Sequence, residues 1–321
     1  MKCSREVFTL LSVLAVGVGI TCNLVVLRAQ IFDTNDLWLK IALTNNTAAF
    51  TVYAPATNVE GVYDLYFKTN FTDNQDWTWL ARCASGQTNL TVSNLPPGQG
   101  FFQLETANTI RPGFDQQFLA RTDDGSTGIV PMGFFIDFYG NSNATLYVNN
   151  NGNVTFTNAE WQYVPGSLFN LNMQIIAPFW GDVDTDNPAS DVVKYGTNMV
   201  DGHYAFGVDW VNVGYFAAHA DKLLSCQLVI IDRSDIAVGD FDMEFNYEKV
   251  QWQWGYASSN DPPYAGFSDG TDGYELAGSG VVGAFLDSNM ATGLIYYSLN
   301  SSVPGRYFFS FRNGEPLGPL P

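Results

Sequence analysis

The chain has 321 residues, of which 46% are hydrophobic, 15% are aromatic and only 14% are charged. This length predicts about two domains, and the hydrophobic content is sufficient for a sizeable core. The formal net charge of −18 argues against nucleic acid and anionic lipid surfaces as partners, because their phosphates would be repelled.

The first 29 residues have the pattern of a secretion signal. Lys2 and Arg5 give a basic start, residues 7–20 form a short apolar segment, and Ala29 supplies the small residue expected before a cleavage site. We therefore expect a secreted, extracellular or cell-surface protein whose mature chain begins near Gln30 and is not inserted in a membrane.

Two other interpretations of this segment remain open. Cys22 could carry a lipid, although Gly19 stands where a lipobox has a bulky aliphatic residue. Alternatively, the segment could stay uncleaved as an apolar anchor. Its removal would take away Lys2, Arg5, Arg28 and Glu6, which changes the net charge from −18 to −20.

Residues 30–110 predict a small β-sandwich of unknown role. Six runs of strand-forming residues, each four to seven residues long, are separated by turn formers such as Pro96-Pro97-Gly98. In residues 63–68 the odd positions are aromatic or aliphatic, which is typical of a half-buried strand. No motif in this segment carries recognisable chemistry.

Residues 111–313 predict a second all-β domain, followed by a short tail over residues 314–321. Short strand patterns continue to residue 312 and include residues 280–286 and 295–299. Residues 149–153, which read Asn-Asn-Asn-Gly-Asn, predict a hairpin turn. The only helix expected is a short one near residues 167–171. The fold class is therefore all-β, with two sandwich-like domains after the signal.

Residues 174–187 are the segment around which the second domain is organised. They begin with an apolar run that includes Ile176, and Pro178 then prevents an unbroken paired strand. Phe179 and Trp180 are large anchors for a core. Three carboxylates follow at alternate positions, and alternate residues share one face of an extended chain.

This segment is similar to the signature of the NIDO (nidogen-like) domain, an extracellular module. Ile-Ile-Ala-Pro-Phe-Trp-Gly-Asp-Val-Asp-Thr carries the resemblance, and four other blocks match in the same order, so that the resemblance covers residues 113–313. These blocks are residues 146–156, 209–215, 227–235 and 245–252, and they include Gly152 and Trp210. The resemblance implies a matrix-interaction or cell-adhesion protein without catalysis.

Asp182, Asp184 and Asp186 are candidate calcium ligands, because calcium takes six to eight oxygen ligands and D-x-D-x-D delivers three of them. An EF-hand loop is excluded, since Asn187 and Val193 occupy its glycine and glutamate positions. The alternative is a loop whose carboxylates accept backbone N–H bonds and face water. No other cofactor is expected.

Trp252 and Trp254 are candidate ligand-binding residues. In a strand, residues two apart share a face, and paired tryptophans can stack on sugar rings. Trp252 matches the nidogen-like pattern, whereas Trp254 stands where that family usually has a small polar residue. The alternative is that both pack in the core. A secreted carbohydrate-binding protein is therefore the second functional interpretation, with an extracellular protein or a glycan as the partner.

A secreted glycoside hydrolase is the third interpretation, and we expect no enzyme. Acids are abundant near residues 232–244, but two carboxyl groups must face each other across a cleft for that reaction. His203 and His219 are accompanied by no nucleophile motif.

Four cysteines do not predict a disulfide framework. Cys3 and Cys22 would leave with the signal, and Cys83 and Cys226 fall in different predicted domains. Cys226 lies on the apolar side of an alternating run, so we expect it in the core, although a bridge to Cys83 stays open. Six N-x-S/T sequons begin at Asn45, Asn70, Asn89, Asn143, Asn153 and Asn300.

Overall fold

The computed structural model describes residues 37–44, 47–54, 61–69, 77–93, 95, 100–169, 171–254 and 261–318. The predicted signal, Asn45 and Asn70 lie outside these residues. The chain divides into two compact units between Ala107 and Asn108. Regular structure in the described ranges is almost entirely β-strand, which confirms the all-β prediction. None of the helical segments in these ranges is long and apolar enough to cross a membrane.

The first unit consists of two three-stranded antiparallel sheets, ordered β1-β2-β5 and β4-β3-β6. Phe50 and Leu90 from one sheet and Leu65 and Leu104 from the other share one core. A buried ion pair between Arg82 and Asp64 adds to it. The strands are β1 (Trp38–Thr44), β2 (Thr47–Tyr53), β3 (Tyr63–Lys68), β4 (Thr78–Cys83), β5 (Asn89–Val92) and β6 (Phe101–Thr106).

The second unit is a larger sandwich, made of a six-stranded sheet and a seven-stranded sheet. The first seven of its strands are β7 (Gln117–Phe118), β8 (Val130–Phe138), β9 (Asn141–Asn149), β10 (Asn153–Thr155), β11 (Ile175–Trp180), β12 (Lys194–Val200) and β13 (His203–Tyr215). The others are β14 (His219–Asp232), β15 (Phe241–Val250), β16 (Tyr264–Ser268), β17 (Gly273–Glu275), β18 (Arg306–Arg312) and β19 (Glu315–Pro316). The sheet orders are β17-β16-β11-β10-β9-β8 and β19-β18-β15-β14-β13-β12-β7.

Aromatic side chains join the two sheets of the second unit. Phe138 of β8 packs on Phe311 of β18 with ring centroids 5.4 Å apart, and Phe267 of β16 packs edge-on against Phe309 at 5.1 Å. All six residues of β11 are buried, which matches the apolar run in the sequence. The register of β11 against β16 shifts between Ala177 and Trp180, at the proline that was predicted to interrupt pairing.

Two predicted strands and the predicted helix are wrong. Residues 280–286 form turns, because Gly278, Gly280 and Gly283 adopt positive φ values that break an extended chain. Residues 294–296 form a short 3₁₀ helix, Leu294–Tyr296, in place of the start of a strand. The described residues of 167–171 form bends and turns, without a helix.

Cys83 and Cys226 are both free and buried, each within its own unit. Burial raises the pKa of the Cys83 thiol to about 11, and the pKa of Cys226 is also raised by burial. Cys226 is fully inaccessible, which confirms its predicted place in the core. Neither thiol is a reactive nucleophile in this state, because the thiolate is the reactive form.

The turn at residues 149–153 is buried, although turns usually lie at the surface. The Asn150 side-chain amide donates to the backbone oxygens of Thr122, Asp123 and Val183. The Asn151 side-chain oxygen accepts the Val183 N–H at 3.0 Å. These bonds satisfy backbone groups that would otherwise be buried without partners.

Gly152 lets this turn approach β11. It has a φ of +77°, and a β-carbon built on it would lie 1.7 Å from the Phe179 backbone oxygen. The Trp210 indole N–H donates to the Asn150 backbone oxygen at 3.0 Å, and Tyr247 donates its hydroxyl to the Pro178 oxygen at 2.6 Å. The family signature residues therefore meet at one buried place.

We predict that Gly152→Ala destabilises the second unit more than Gly140→Ala does. Both glycines have a φ of +77°, but a β-carbon at Gly140 would meet nothing within 4 Å, so the difference isolates the clash with Phe179. Forcing atoms into a packed site costs about 1–3 kcal/mol. Urea unfolding followed by tryptophan fluorescence measures this difference, and equal losses in the two variants would contradict it.

Candidate functional site

The acidic segment that follows β11 does not form a strand, and its three aspartates have different environments. Asp182 and Asp184 are 1% and 3% exposed, whereas Asp186 is exposed to solvent. The three aspartates therefore do not share one environment, and their expected orientation to one side stays a prediction. The side chains of Asn150 and Asn151 hold this segment through the backbone oxygen and N–H of Val183.

Asp184 accepts backbone hydrogen bonds, as in the alternative to calcium ligation, but it is buried and does not face water. Its two oxygens accept the Asp186 N–H at 2.8 Å and the Ala218 N–H at 2.7 Å. Ala217 and Ala218 have φ values of +65° and +54°, which are costly for residues with a β-carbon. Asn187 donates to the Ala218 oxygen at 2.6 Å. Asp184 and Asn187 therefore hold a strained turn between β13 and β14.

Asp182 lies beside Asp123 and Asp124, two acids from a distant part of the chain. One carboxylate oxygen from each of Asp123, Asp124 and Asp182 lies within 4.8 Å of the others. Burial raises the pKa of Asp123 to about 6, and the negative charges of Asp184, Asp124 and Asp186 add to this shift. These oxygens are the type that calcium prefers. Calcium binding at the expected set of Asp182, Asp184 and Asp186 stays a prediction, and Asp123 and Asp124 are further candidate ligands beside Asp182.

Sequence reasoning missed Asp123 and Asp124 because they lie far from Asp182 along the chain. The sequence of residues 122–126 indicates only a turn before the second domain. Two contacts hold residues 122–126 beside the acidic segment, one to that segment itself and one to the buried turn. The Thr185 hydroxyl and the Thr122 backbone oxygen are 3.0 Å apart, and Asn151 donates to the Asp124 carboxylate at 2.8 Å.

A second candidate site, the aromatic cleft, lies beside the strained turn and has a volume of about 490 Å³. Its aromatic wall is continuous. Tyr215 and His219 stack with ring centroids 5.0 Å apart and an interplanar angle of 14°, and Tyr215 lies 5.6 Å from the Trp252 ring. The lining residues are Tyr215, His219, Lys222, Gln251, Trp252, Gln253, Trp254, Val282, Gly283 and Leu286.

Both predicted tryptophans line the aromatic cleft, although residues 251–254 are not in a strand. Trp252 is only 4% exposed, packs edge-on against Phe179 at 5.4 Å and donates to the Val213 oxygen at 3.3 Å. It is chiefly a core residue that presents one edge. Trp254 is half-buried and therefore offers more of its ring to a ligand.

Hydrogen-bond donors surround the aromatic wall. The Gln251 side-chain oxygen accepts the Leu223 N–H, and the Gln253 oxygen accepts the Gly283 N–H. Within the described part of the chain neither NH₂ group has a bonded acceptor, so each can donate to a ligand. Lys222 adds an exposed ammonium group. Aromatic faces beside several donors are suited to the apolar faces and oxygen atoms of a polar ligand.

The acids of residues 232–244 do not form a catalytic pair facing a cleft. Asp242 bonds to Arg233 at 2.6 Å and to Arg312 at 2.7 Å, and Glu244 bonds to Arg111 at 2.6 Å. Burial would raise the pKa of Glu244, but the bond from Arg111 and the charges of Arg306 and Arg111 lower it below its usual value. A general acid for glycoside hydrolysis requires the opposite shift.

Comparisons with known proteins identify the family of the second unit. The sequence profile described as the nidogen-like domain (NIDO) matches residues 144–313, which is more than half of the chain. Mouse and human alpha-tectorin are each 27% identical over 62% of this chain, and Drosophila melanogaster nidogen is 28% identical over 58% of it. No solved structure matches significantly.

These relatives are much longer than this chain. The matched region covers 10% of mouse and human alpha-tectorin and 15% of the fly nidogen. The similarity therefore concerns one module of each relative.

We predict that millimolar calcium raises the melting temperature of the second unit at pH 7. A concentration of ten times the dissociation constant adds about 1.4 kcal/mol, or about 3–6 °C for a unit of this size. Asp124→Asn should abolish the response, because it removes a charge from the cluster. Asp186→Asn removes the same charge from an exposed neighbour outside the cluster and should retain the response.

The calcium response should also weaken as the pH falls through about 6, because protons then compete with the cation for Asp123. Without calcium, the raised pKa of Asp123 has its own effect on stability. As the pH rises from about 4 to about 6, the Asp123 carboxyl loses its proton in the unfolded chain before it does so in the folded one, so the contribution of Asp123 to the stability of the fold decreases. Equal responses of both variants, or none in the wild type, would contradict calcium binding at this cluster.

Proposed function

Since the chain belongs to the nidogen-like domain family, we propose that it is a secreted, non-catalytic protein that takes part in matrix interactions through the aromatic cleft. Alpha-tectorin and nidogen are extracellular matrix proteins. For this chain an extracellular matrix setting is part of the proposal, because the similarity covers only a small part of each relative. An extracellular position also agrees with the predicted signal.

The aromatic cleft is the observation that carries this proposal. Recognition sites on β-sandwiches are usually formed by loops held on a rigid scaffold. This cleft meets that description, because the Tyr215–His219 stack stands on a turn held by Asp184, and Trp252 is fixed against Phe179. Tyrosine and tryptophan are also the residues that contribute most binding energy in interfaces.

Carbohydrate binding is the second candidate, and the donors of the cleft favour it. Saccharides combine apolar ring faces, which stack on aromatic rings, with many oxygen atoms that accept hydrogen bonds. The cleft supplies the partly exposed Trp254 ring, the NH₂ groups of Gln251 and Gln253, and the ammonium group of Lys222. Under this candidate the matrix ligand is recognised through its glycan.

The ion pairs formed by Asp242 and Glu244 support a non-catalytic role. Asp242 and Glu244 are buried and held by arginines in ion pairs, and neither is among the residues that line the cleft. No carboxylate is among the described residues that line the cleft. A glycoside hydrolase needs two carboxyl groups on opposite sides of its substrate.

We predict that Trp254→Ala weakens ligand binding about tenfold or more, as expected for an aromatic residue at the centre of a binding site. The assay measures binding of the purified protein to a glycan array and to a panel of immobilised matrix proteins. Trp161→Ala is the matched control, because Trp161 is 66% exposed and is not among the residues that line the cleft.

Binding to free glycans would establish the second candidate, whereas binding that survives enzymatic removal of the glycans from a matrix protein would indicate recognition of the polypeptide. An equal effect of the two tryptophan substitutions, or retention of full binding by Trp254→Ala, would overturn the assignment of the cleft.

A further inference from the structure

An apolar pocket lies at the edge of the larger sandwich, where β17 of one sheet and β18 of the other contribute residues to one concave surface. Its volume of about 400 Å³ is within the range of small-molecule sites. The floor is made of residues that are at most 8% exposed: Tyr274, Leu276, Ala284 and Tyr307. Val281 and Tyr297, which are 57% and 46% exposed, stand at the rim.

The described residues that line this apolar pocket carry no charge. No carboxylate, amine or guanidinium group is among the described residues that form it, although the whole chain has 32 acidic residues. A charged ligand would lose its hydration there and gain no compensating partner, which disfavours its binding. The pocket therefore selects against ions.

The hydroxyl groups of the lining are already used as donors. Each hydroxyl has one proton, and four of the five lining hydroxyls are paired with backbone oxygens of the protein itself. Thr292 pairs with Ala284 at 2.7 Å, Ser298 with Ser301 at 2.7 Å, Tyr297 with Met290 at 3.2 Å and Tyr307 with Leu294 at 3.2 Å. A ligand rich in acceptors, such as a saccharide, would find few donors here.

We propose that this pocket binds an uncharged, largely hydrocarbon molecule that contains an aromatic ring. The rings of Tyr274 and Tyr307 on the floor favour edge-to-face or offset contact with such a ring. A cavity of about 150 Å³ holds benzene, so this volume accepts a molecule of about two fused rings. The site is separate from the aromatic cleft, and the proposal does not depend on the proposed matrix function.

The test is a titration of the purified protein with 1-fluoronaphthalene, followed by the ¹⁹F chemical shift. The wild type should give a saturable shift. Val281→Asp places a carboxylate on the rim and should weaken binding about tenfold or more. Val282→Asp is the matched control, because this neighbour is 61% exposed and lines the aromatic cleft instead of the pocket. It should bind as the wild type does.

1-Naphthoate, which keeps the two rings but carries a carboxylate, should bind the wild type about tenfold more weakly or worse. The absence of a saturable shift with 1-fluoronaphthalene would overturn the proposal. Equal weakening by the two aspartate substitutions, or equal affinity for the charged and uncharged probes, would overturn it as well.

Discussion

The buried turn between β9 and β10 is the constraint on which the rest of the larger unit depends. A turn carries backbone N–H and C=O groups that must find partners once water is excluded. Here the Trp210 indole N–H bonds to the Asn150 backbone oxygen, and the N–H groups of Phe179 and Gly181 bond to the backbone oxygens of Gly152 and Asn151. In return, the side-chain amides of Asn150 and Asn151 bond to the backbone of Val183. Gly152 allows the turn to touch the Phe179 carbonyl. A sequence that is polar and turn-forming thus serves as part of the core.

The contact between the buried turn and β11 positions residues of both candidate sites. The turn holds Val183, and Val183 separates Asp182, which joins the acidic cluster, from Asp184, which accepts the Ala218 N–H. On the other side, Phe179 supports Trp252. The acidic cluster and the aromatic cleft are therefore attached to the same buried segment, so a change at the turn is expected to disturb both.

Much of this architecture could be predicted from the sequence because local patterns determine it. The alternation of residues 63–68 and the apolar run before Pro178 are strand signals, and both strands are present. The order and spacing of five sequence blocks led to the correct family. The same local rules failed at residues 280–286, where a valine-rich run predicts a strand but glycines with positive φ form turns.

The candidate sites were less predictable because they are assembled from distant segments. Asp123 and Asp124 come from a turn that precedes β8, and no local signal connects them with Asp182. Tyr215 and His219 are separated by a turn whose strain is compensated by Asp184, a contact between residues 34 positions apart. Trp252 and Trp254, which are close in the chain, do line one cleft, but Trp252 is mainly a core residue and their role in binding stays a prediction.

Amide hydrogen exchange of Val183 tests most directly whether the polar turn fixes the segment after β11. Val183 is not in a strand, and its N–H bonds to the Asn151 side chain and to Gly181. If the turn holds this segment, Val183 should exchange only through global unfolding, with the protection of Val229 in the centre of β14. Exchange as fast as that of Gly202, in the exposed turn between β12 and β13, would contradict the account.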